Sequence, residues 1–291
     1  MNAIELIQAN RLTEARAQLI ADVNASPADA GKRVLLFEVL CFCGDYRKAE
    51  QHLDLLVGQD LAGRTSARVY KALLAAERER SEVAVGAKRP HLLGPAPPYL
   101  EAHFVARAQL QAGDIARAAR YFRELEAESG ALCGTANRNE FQGFQDSDAM
   151  LAPFLEIFIH DRYLWLPFRD LRELSVAPPH TLLDLLWAPA QLSTWQGITT
   201  SCFLPVLYPA TYGHPDDMVR LGKMTDWREL GGGIFRGAGQ HVFLAGDEEL
   251  ALLDIRELRF LPPAESEEWE SDLLAVHGQQ EGRPVTCGAR P

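Results

Sequence analysis

Three groups of residues have the types and spacing that could support chemistry. His160-Asp161, taken with His214, Asp216 and Asp217, offers imidazoles and carboxylates, the ligand set of a metal-dependent hydrolase. That site needs two distant segments to converge, and nothing in the sequence brings them together. Asp216 and Asp217 also have a sufficient second role, because carboxylates directly after Pro215 suit a helix start. Cys41-x-Cys43 has the outline of a metal clip. Residues two apart on a helix point to different sides, however, and no second Cys/His pair at zinc spacing follows, so structural thiols are expected. Gly231-Gly232-Gly233 with Gly237 and Gly239 suggests a phosphate loop. A P-loop requires Lys-Ser/Thr opening a helix, whereas these glycines lead into the strand-like HVFLA, which predicts turns between strands. Neither G-x-S-x-G nor H-E-x-x-H occurs. The expectation is no catalytic residue, no metal ligand and no cofactor, with a metal-dependent hydrolase on His160, Asp161, His214 and Asp217 as the alternative.

Tyr163, Trp165, Trp187, Trp195 and Trp227 offer material for a ligand cage or a peptide groove. Tyr163 and Trp165 alternate with Leu164 and Leu166, the pattern of a strand buried on both faces, so core packing is the expected role.

Leu35 to Leu56 reads as two short helices around a tight turn at Gly44-Asp45. Tyr46, Ala49, Leu53 and Leu56 share one helical face, and Leu36, Phe37 and Leu40 supply its partner. Aligning the turn at Asn10 with Gly44 places Leu12, Ala15 and Leu19 in the same slots, an offset of about 34 residues. Gly113-Asp114, followed by Ile115, Ala118, Phe122 and Leu125, repeats the pattern close to two periods later. A repeat of about 34 residues with small residues at the helix crossing is the tetratricopeptide signature. Thr65 to Arg80 reads as a helix with Val69, Leu73 and Ala76 on one face and Glu77, Arg78, Glu79 and Arg80 at its wet end. Its partner helix is missing, which makes it a degenerate third repeat.

Asp148 to His160 reads as one helix. From Tyr163 onward short apolar runs recur between Pro and Gly, a β texture interrupted by one helix over His214 to Lys223. The predicted class is α+β in two domains. Residues 1–130 form a tetratricopeptide-like helical array, 131–147 a linker rich in Gly, Asn and Gln, 148–262 a β-rich antiparallel, barrel-like domain, and 263–291 an acidic tail expected to fray.

Composition narrows the function. The chain has 29 Lys/Arg against 40 Asp/Glu, net −11, and the excess lies almost wholly from residue 148 onward, with 11 basic against 21 acidic residues. Phosphate backbones and anionic membranes need concentrated basic charge, so neither nucleic acid nor a membrane is an expected partner. No stretch approaches the roughly 20 apolar residues of a membrane span, and the N-terminus lacks a signal-peptide pattern, so a cytoplasmic location is expected. Five scattered cysteines, Cys41, Cys43, Cys133, Cys202 and Cys287, fit reduced thiols better than a disulfide framework.

Several segments together, DRYLWLPFRDLREL (161–174), Trp187-Ala188-Pro189, Tyr208-Pro209, DDMVRLGKMTDW (216–227), GQHVFL and LLDIREL (252–258), resemble the ImpE/TagJ family of type VI secretion accessory proteins. The helical repeats, the HLLG-proline loop at 91–98 and the AGD turn at 112–114 fit the same family, so the likeness spans roughly residues 1–261. The resemblance implies a cytoplasmic, non-catalytic protein. It implies binding to the small subunit of the contractile sheath through that subunit's N-terminal helix, with an indirect link to a ClpV-type AAA+ ATPase. Stacked helix pairs suit such a role because they leave a concave groove for a partner helix. By repeat position the groove-lining residues are Val34, Glu38, Cys41 and Phe42 in the second repeat and Leu100, His103, Arg107 and Leu110 in the last.

Overall fold

The computed structural model of the chain describes residues 1–57, 63–129 and 131–262. The acidic tail and Cys287 lie outside the described residues. The N-terminal part is helical: α1 (Ala3–Gln8), α2 (Leu12–Ala25), α3 (Ala30–Phe42), α4 (Tyr46–Val57), α5 (Gly63–Ala84), and, after a two-residue strand β1 (His91–Leu92), α6 (Leu100–Gln111) and α7 (Ile115–Ser129). Neighbours pack in sequence from α1 to α5, and α6 packs on α7.

The turns joining these helices have a common chemistry. After α3, Gly44 at φ 70° sends its N–H to the Cys41 carbonyl while Asp45 reaches Leu40. After α6, Gly113 at φ 82° repeats this with Leu110, and Asp114 with Gln109. After α1, Asn10 at φ 58° does the same with Ile7, and Arg11 with Leu6. Each is a Schellman closure, which satisfies the last carbonyls of a helix and needs a left-handed residue just past its end. Asn2 and Glu5 form a capping box at the start of α1, and Asp29 caps α3.

The remainder is mostly β. Strands β2 (Cys133–Ala136), β3 (Asn139–Gln142) and β4 (Phe144–Asp146) are followed by β5 (Phe154–Ile159), β6 (Arg162–Pro167), β7 (Leu171–Val176), β8 (Trp187–Thr194) and β9 (Thr199–Pro205). After the short helix α8 (Asp217–Arg220) come β10 (Asp226–Gly231), β11 (Ile234–Ala238), β12 (Val242–Ala245), β13 (Glu248–Ala251) and β14 (Glu257–Phe260). Nine strands make one sheet in the order β1-β6-β5-β9-β8-β7-β14-β2-β3, antiparallel except for the parallel β1–β6 pair. A three-stranded sheet β13-β12-β4 and a hairpin β10–β11 accompany it. Phe141, Phe144, Phe168, Phe243 and Phe260 knit the large sheet to the three-stranded one, with ring centroids 5.0–6.5 Å apart.

Several expectations change here. The sheet is open, with β1 and β3 at its edges, so the C-terminal part is not a closed barrel. Residues 131–147 are no plain linker, because they carry β2, β3 and β4. Asn137 and Arg138, both at positive φ, form the two-residue turn that a twisted hairpin favours, and the Asn137 side chain accepts from the backbone of Arg256 and Glu257. Asp148 to His160 is not a helix. Asp148 holds the Met150 N–H in a tight turn, and FLEIFI becomes β5, buried over five of its six residues. A short apolar run suits either element by its pattern, and pairing with β6 decided it. Tyr163, Trp165 and Trp187 are core residues, as the strand pattern predicts.

The helical and β parts form one body. β1 leaves the helical array and adds a strand to the sheet beside β6, and the face of α5 that lacks a partner helix lies on that same sheet. Glu77, Glu79 and Arg80, expected at a wet end, are therefore buried, at 6%, 7% and 4% exposure. Arg78 alone of the four reaches solvent, where it pairs with Glu50. Cys41, Cys43 and Cys202 are free thiols, whereas Cys133 is disulfide-bonded, against the expectation of reduced thiols throughout.

Candidate functional site

The residues expected to line a helical groove occupy very different places. Val34 is exposed, at 41%. Glu38 is half-buried, and burial raises its carboxyl above the ordinary value. Phe42 and Cys41 are buried in the core, and desolvation pushes the Cys41 thiol well up. Leu100, His103 and Arg107 are buried, the last two against the chain's own sheet at Trp165. His103 has ring contacts with Phe122, Phe154 and Trp165 and sets its Nε2 3.0 Å from the Met150 carbonyl. Burial, and then the neighbouring Arg107, lower its pKa to about 3, so the ring is neutral. Arg107 lies over the Trp165 ring at 4.8 Å and donates to the Val83 carbonyl at 2.9 Å. The trough read from repeat position is thus filled, at its α6 end, by the chain itself.

The seam between α5 and the sheet holds a buried cluster of charged groups. Arg80 donates from Nε and Nη2 to the two carboxylate oxygens of Glu156 on β5, at 3.0 and 2.6 Å, and from Nη2 to the Leu207 carbonyl at 2.7 Å. His241, just before β12, sits 3.1 Å from Glu156 Oε2 and 2.7 Å from Asp146 Oδ2. Asp146 accepts from the Tyr208 hydroxyl at 2.8 Å and from the Asp148 N–H at 2.8 Å. Glu156 also accepts from the Tyr163 hydroxyl, which takes a hydrogen bond from Trp165 Nε1 at 2.5 Å. Glu77 accepts from Trp187 Nε1 at 3.0 Å.

These groups are sealed from water, and their neighbours decide their charge. Burial alone would lower His241, but the Asp146 and Glu156 carboxylates outweigh it and raise the imidazole to about 9. Burial alone would raise Glu156, but Arg80 and His241 hold it well below the usual carboxylate range. Asp146 stays raised by burial, only partly offset by His241. The cluster is two cations between two carboxylates, each hydrogen-bonded, which is what makes burial of charge tolerable. Beside it, between Arg80, Tyr46 and Tyr208, is a space of about 30 Å³, room for roughly one water and no substrate.

A second feature is open. Between α7 on one side and β4, the β10–β11 turn and the sheet on the other lies a cleft of about 740 Å³. Phe122, Leu132, Phe144, Phe168, Phe235 and Leu244 give it apolar walls, and Arg123 and Arg169 add positive charge. Glu126 and the buried Asp146 also line it. Neither guanidinium is committed to a salt bridge among the described residues. Phe235 is 42% exposed, unusual for so large an apolar ring. His103 lies at the back. With its Nε2–H given to Met150, its Nδ1 is an acceptor without a donor among the described residues.

The residues weighed for metal chemistry do not assemble. His160 takes a left-handed conformation at the β5–β6 turn. His214 pairs with Asp226 at 3.1 Å, Asp216 caps α8, and Asp217 binds Arg220 and the Thr13 N–H. Among the described residues no group of three or more His, Cys, Asp or Glu side chains is placed to hold a metal ion. Gly231, Gly232 and Gly233, all at positive φ, form the turn between β10 and β11. Among the described residues no helix is long and apolar enough to cross a membrane.

Sequence reasoning missed both the seam and the cleft. A faint signal for the seam exists, since Glu156 is a lone carboxylate inside an apolar run and His241 stands directly before VFLA; a charge so placed is buried only with a partner. Nothing local marks the cleft, because its walls come from segments far apart in sequence.

Comparison with known proteins bears on these features. The family model described as ImpE protein matches residues 138–259. The chain is 34% identical over 263 residues to the type VI secretion system accessory component TagJ of Pseudomonas aeruginosa, covering 90% of this chain and 92% of that relative. A crystal structure of a protein from Vibrio parahaemolyticus superposes with a TM-score of 0.82 at 22% identity, over 91% of this chain and 99% of the other, so the fold is shared. Since the match to TagJ runs through both the helical array and the sheet that covers it, the chain belongs to the ImpE/TagJ family.

Proposed function

We propose that the protein is a non-catalytic accessory component of a type VI secretion system that binds the N-terminal helix of the small sheath subunit in the cytoplasm. The observation that carries the accessory role is the 34% identity to TagJ across nine-tenths of the chain. The helical hairpins closed by matching turns at Asn10, Gly44 and Gly113 support a tetratricopeptide-like array, a scaffold suited to docking a helix. Of the residues assigned to the groove, Val34 and Glu38 remain reachable, on α3, and form the center of the proposed contact. Phe42, on the same helix, is buried in the core, and Leu100, His103 and Arg107 are buried on α6 and take no part in that contact. The non-catalytic reading is favored by the seam, whose ionizable groups are paired with one another and closed to substrates. The link to a ClpV-type ATPase is then indirect, through the sheath.

Titration of the full chain with a peptide of the sheath subunit's N-terminal helix tests this reading. Saturable binding, weakened by Val34→Arg, is expected. No binding at tens of micromolar overturns it.

A further inference from the structure

The cleft between α7 and the sheet has the attributes of a ligand site. Its walls come from α6, α7, β4, the 3-10 turn at 168–170, the β10–β11 turn and β12, and they bound about 740 Å³, within the size range of small-molecule sites. Phe122, Phe144, Phe168, Phe235 and Leu244 supply the apolar surface, with the Phe235 ring exposed.

The uncommitted polar groups of the cleft are mostly donors. Arg169, Arg123 and the Tyr99 hydroxyl can each donate, and none of the three has a hydrogen bond or salt bridge among the described residues. Tyr99 and Arg169 are neighbours. Burial raises the phenol above its ordinary value and the Arg169 charge only partly offsets that, so the hydroxyl keeps its proton. Asp170, on the same turn, already accepts from Gln196 Nε2 at 3.2 Å. Of the two carboxylates that line the cleft, Asp146 is held by His241 and Tyr208, which leaves Glu126 against two guanidinium groups. In the wall, His103 Nδ1 and Ser147 Oγ are buried with no hydrogen-bond partner among the described residues, and the His103 side chain is wholly buried. Open donors and acceptors around an apolar void are what a ligand's polar groups satisfy.

We propose that the cleft binds a small amphipathic carboxylate, an aromatic or acyl acid whose apolar body lies against the phenylalanine walls and whose carboxylate is held by Arg169 together with the Tyr99 hydroxyl. A planar guanidinium grips a carboxylate through two parallel N–H donors, and the exposed Arg123 adds to the positive field. A docked helix would spread its acids along a groove, whereas here Tyr99 and Arg169 stand together beside one apolar void. A ligand so seated touches α6, α7 and the sheet at once, and so ties the helical array to the sheet where the fold leaves them apart. The inference stands apart from the sheath reading, which rests on α3.

Displacement of the aromatic anion 8-anilinonaphthalene-1-sulfonate from the full chain tests it. Saturable fluorescence is expected, and decanoate should displace the dye at least about tenfold more readily than decanol, which has the same chain and no charge. Arg169→Gln should weaken decanoate about tenfold while changing decanol little, and Tyr99→Phe, which keeps the ring, should weaken decanoate about threefold. Phe235→Glu, a change at an exposed wall residue, should weaken both, and Val34→Arg neither. Failure of both the dye and decanoate to bind saturably overturns the proposal, as does equal displacement by acid and alcohol. So does decanoate binding that Arg169→Gln and Tyr99→Phe both leave intact, which would seat the acid elsewhere. Displacement by the sheath-subunit peptide with none by decanoate also overturns it, and would make the cleft a protein-docking surface.

Discussion

Two places where a helix of the array meets the sheet are built in opposite ways. At α5 the contact is closed, and every strong charge, Arg80, Glu156, His241 and Asp146, has a partner inside the molecule. At α7 the contact is left ajar, its walls apolar and its two guanidinium groups without a salt bridge among the described residues. Perturbed ionizable groups at a seam invite the word active site, yet here they are the part least able to meet anything from outside. The pairing at α5 fixes how the array sits on the sheet, and the unpaired surface at α7 is where recognition has something left to gain.

The contrast is broken most directly at Glu156. Replacing it with Ala leaves Arg80 and His241 buried with half their pairing gone, and a loss of about 3–5 kcal/mol is expected, read by denaturant unfolding. Replacing Arg123, by comparison, should leave stability almost unchanged.

The pH dependence of stability is a second way to separate the two regions. The His241 imidazole is raised from an ordinary 6.5 to about 9, so the stability it contributes is fully present below 6.5 and is lost as pH climbs through 9. A decline on the order of 3 kcal/mol between these limits is expected from thermal or denaturant unfolding, and His241→Gln should flatten it. An unchanged profile would mean that His241 is neutral in the fold and that the seam carries one cation.

The array itself is sharpened by Gly44→Ala. The residue sits at φ 70°, and an added Cβ would come 2.5 Å from the Tyr212 ring, so strain and collision combine. A cost of about 2 kcal/mol is expected in unfolding measurements. Gly113→Ala meets only the backbone strain, because open space surrounds it, and should cost less, about 1 kcal/mol.

The smallest effect belongs to the surface. Arg78→Ala removes a solvent-exposed pair with Glu50 and should change stability by no more than about 0.5 kcal/mol, against several for its buried neighbor Arg80. A large effect at Arg78 would undo the distinction between the wet and the sealed side of α5.

The sequence by itself determined what short-range backbone chemistry controls. The three helix closures were legible because a left-handed Gly or Asn followed by a polar residue and a regular apolar spacing is a local event. The strand at 163–166 was legible for the same reason, from Tyr163 and Trp165 alternating with Leu164 and Leu166. Tertiary structure decided the rest. FLEIFI became a strand because β6 was there to pair with it, and Glu77, Glu79 and Arg80 went inside because a sheet, not a second helix, came to lie on α5. His103 and Arg107 were claimed by Trp165 in the same way, while Val34 stayed exposed and Glu38 half-buried. A side chain's burial depends on which distant surface covers it, and that choice is made by the whole chain folding at once, so no local pattern of residues can record it.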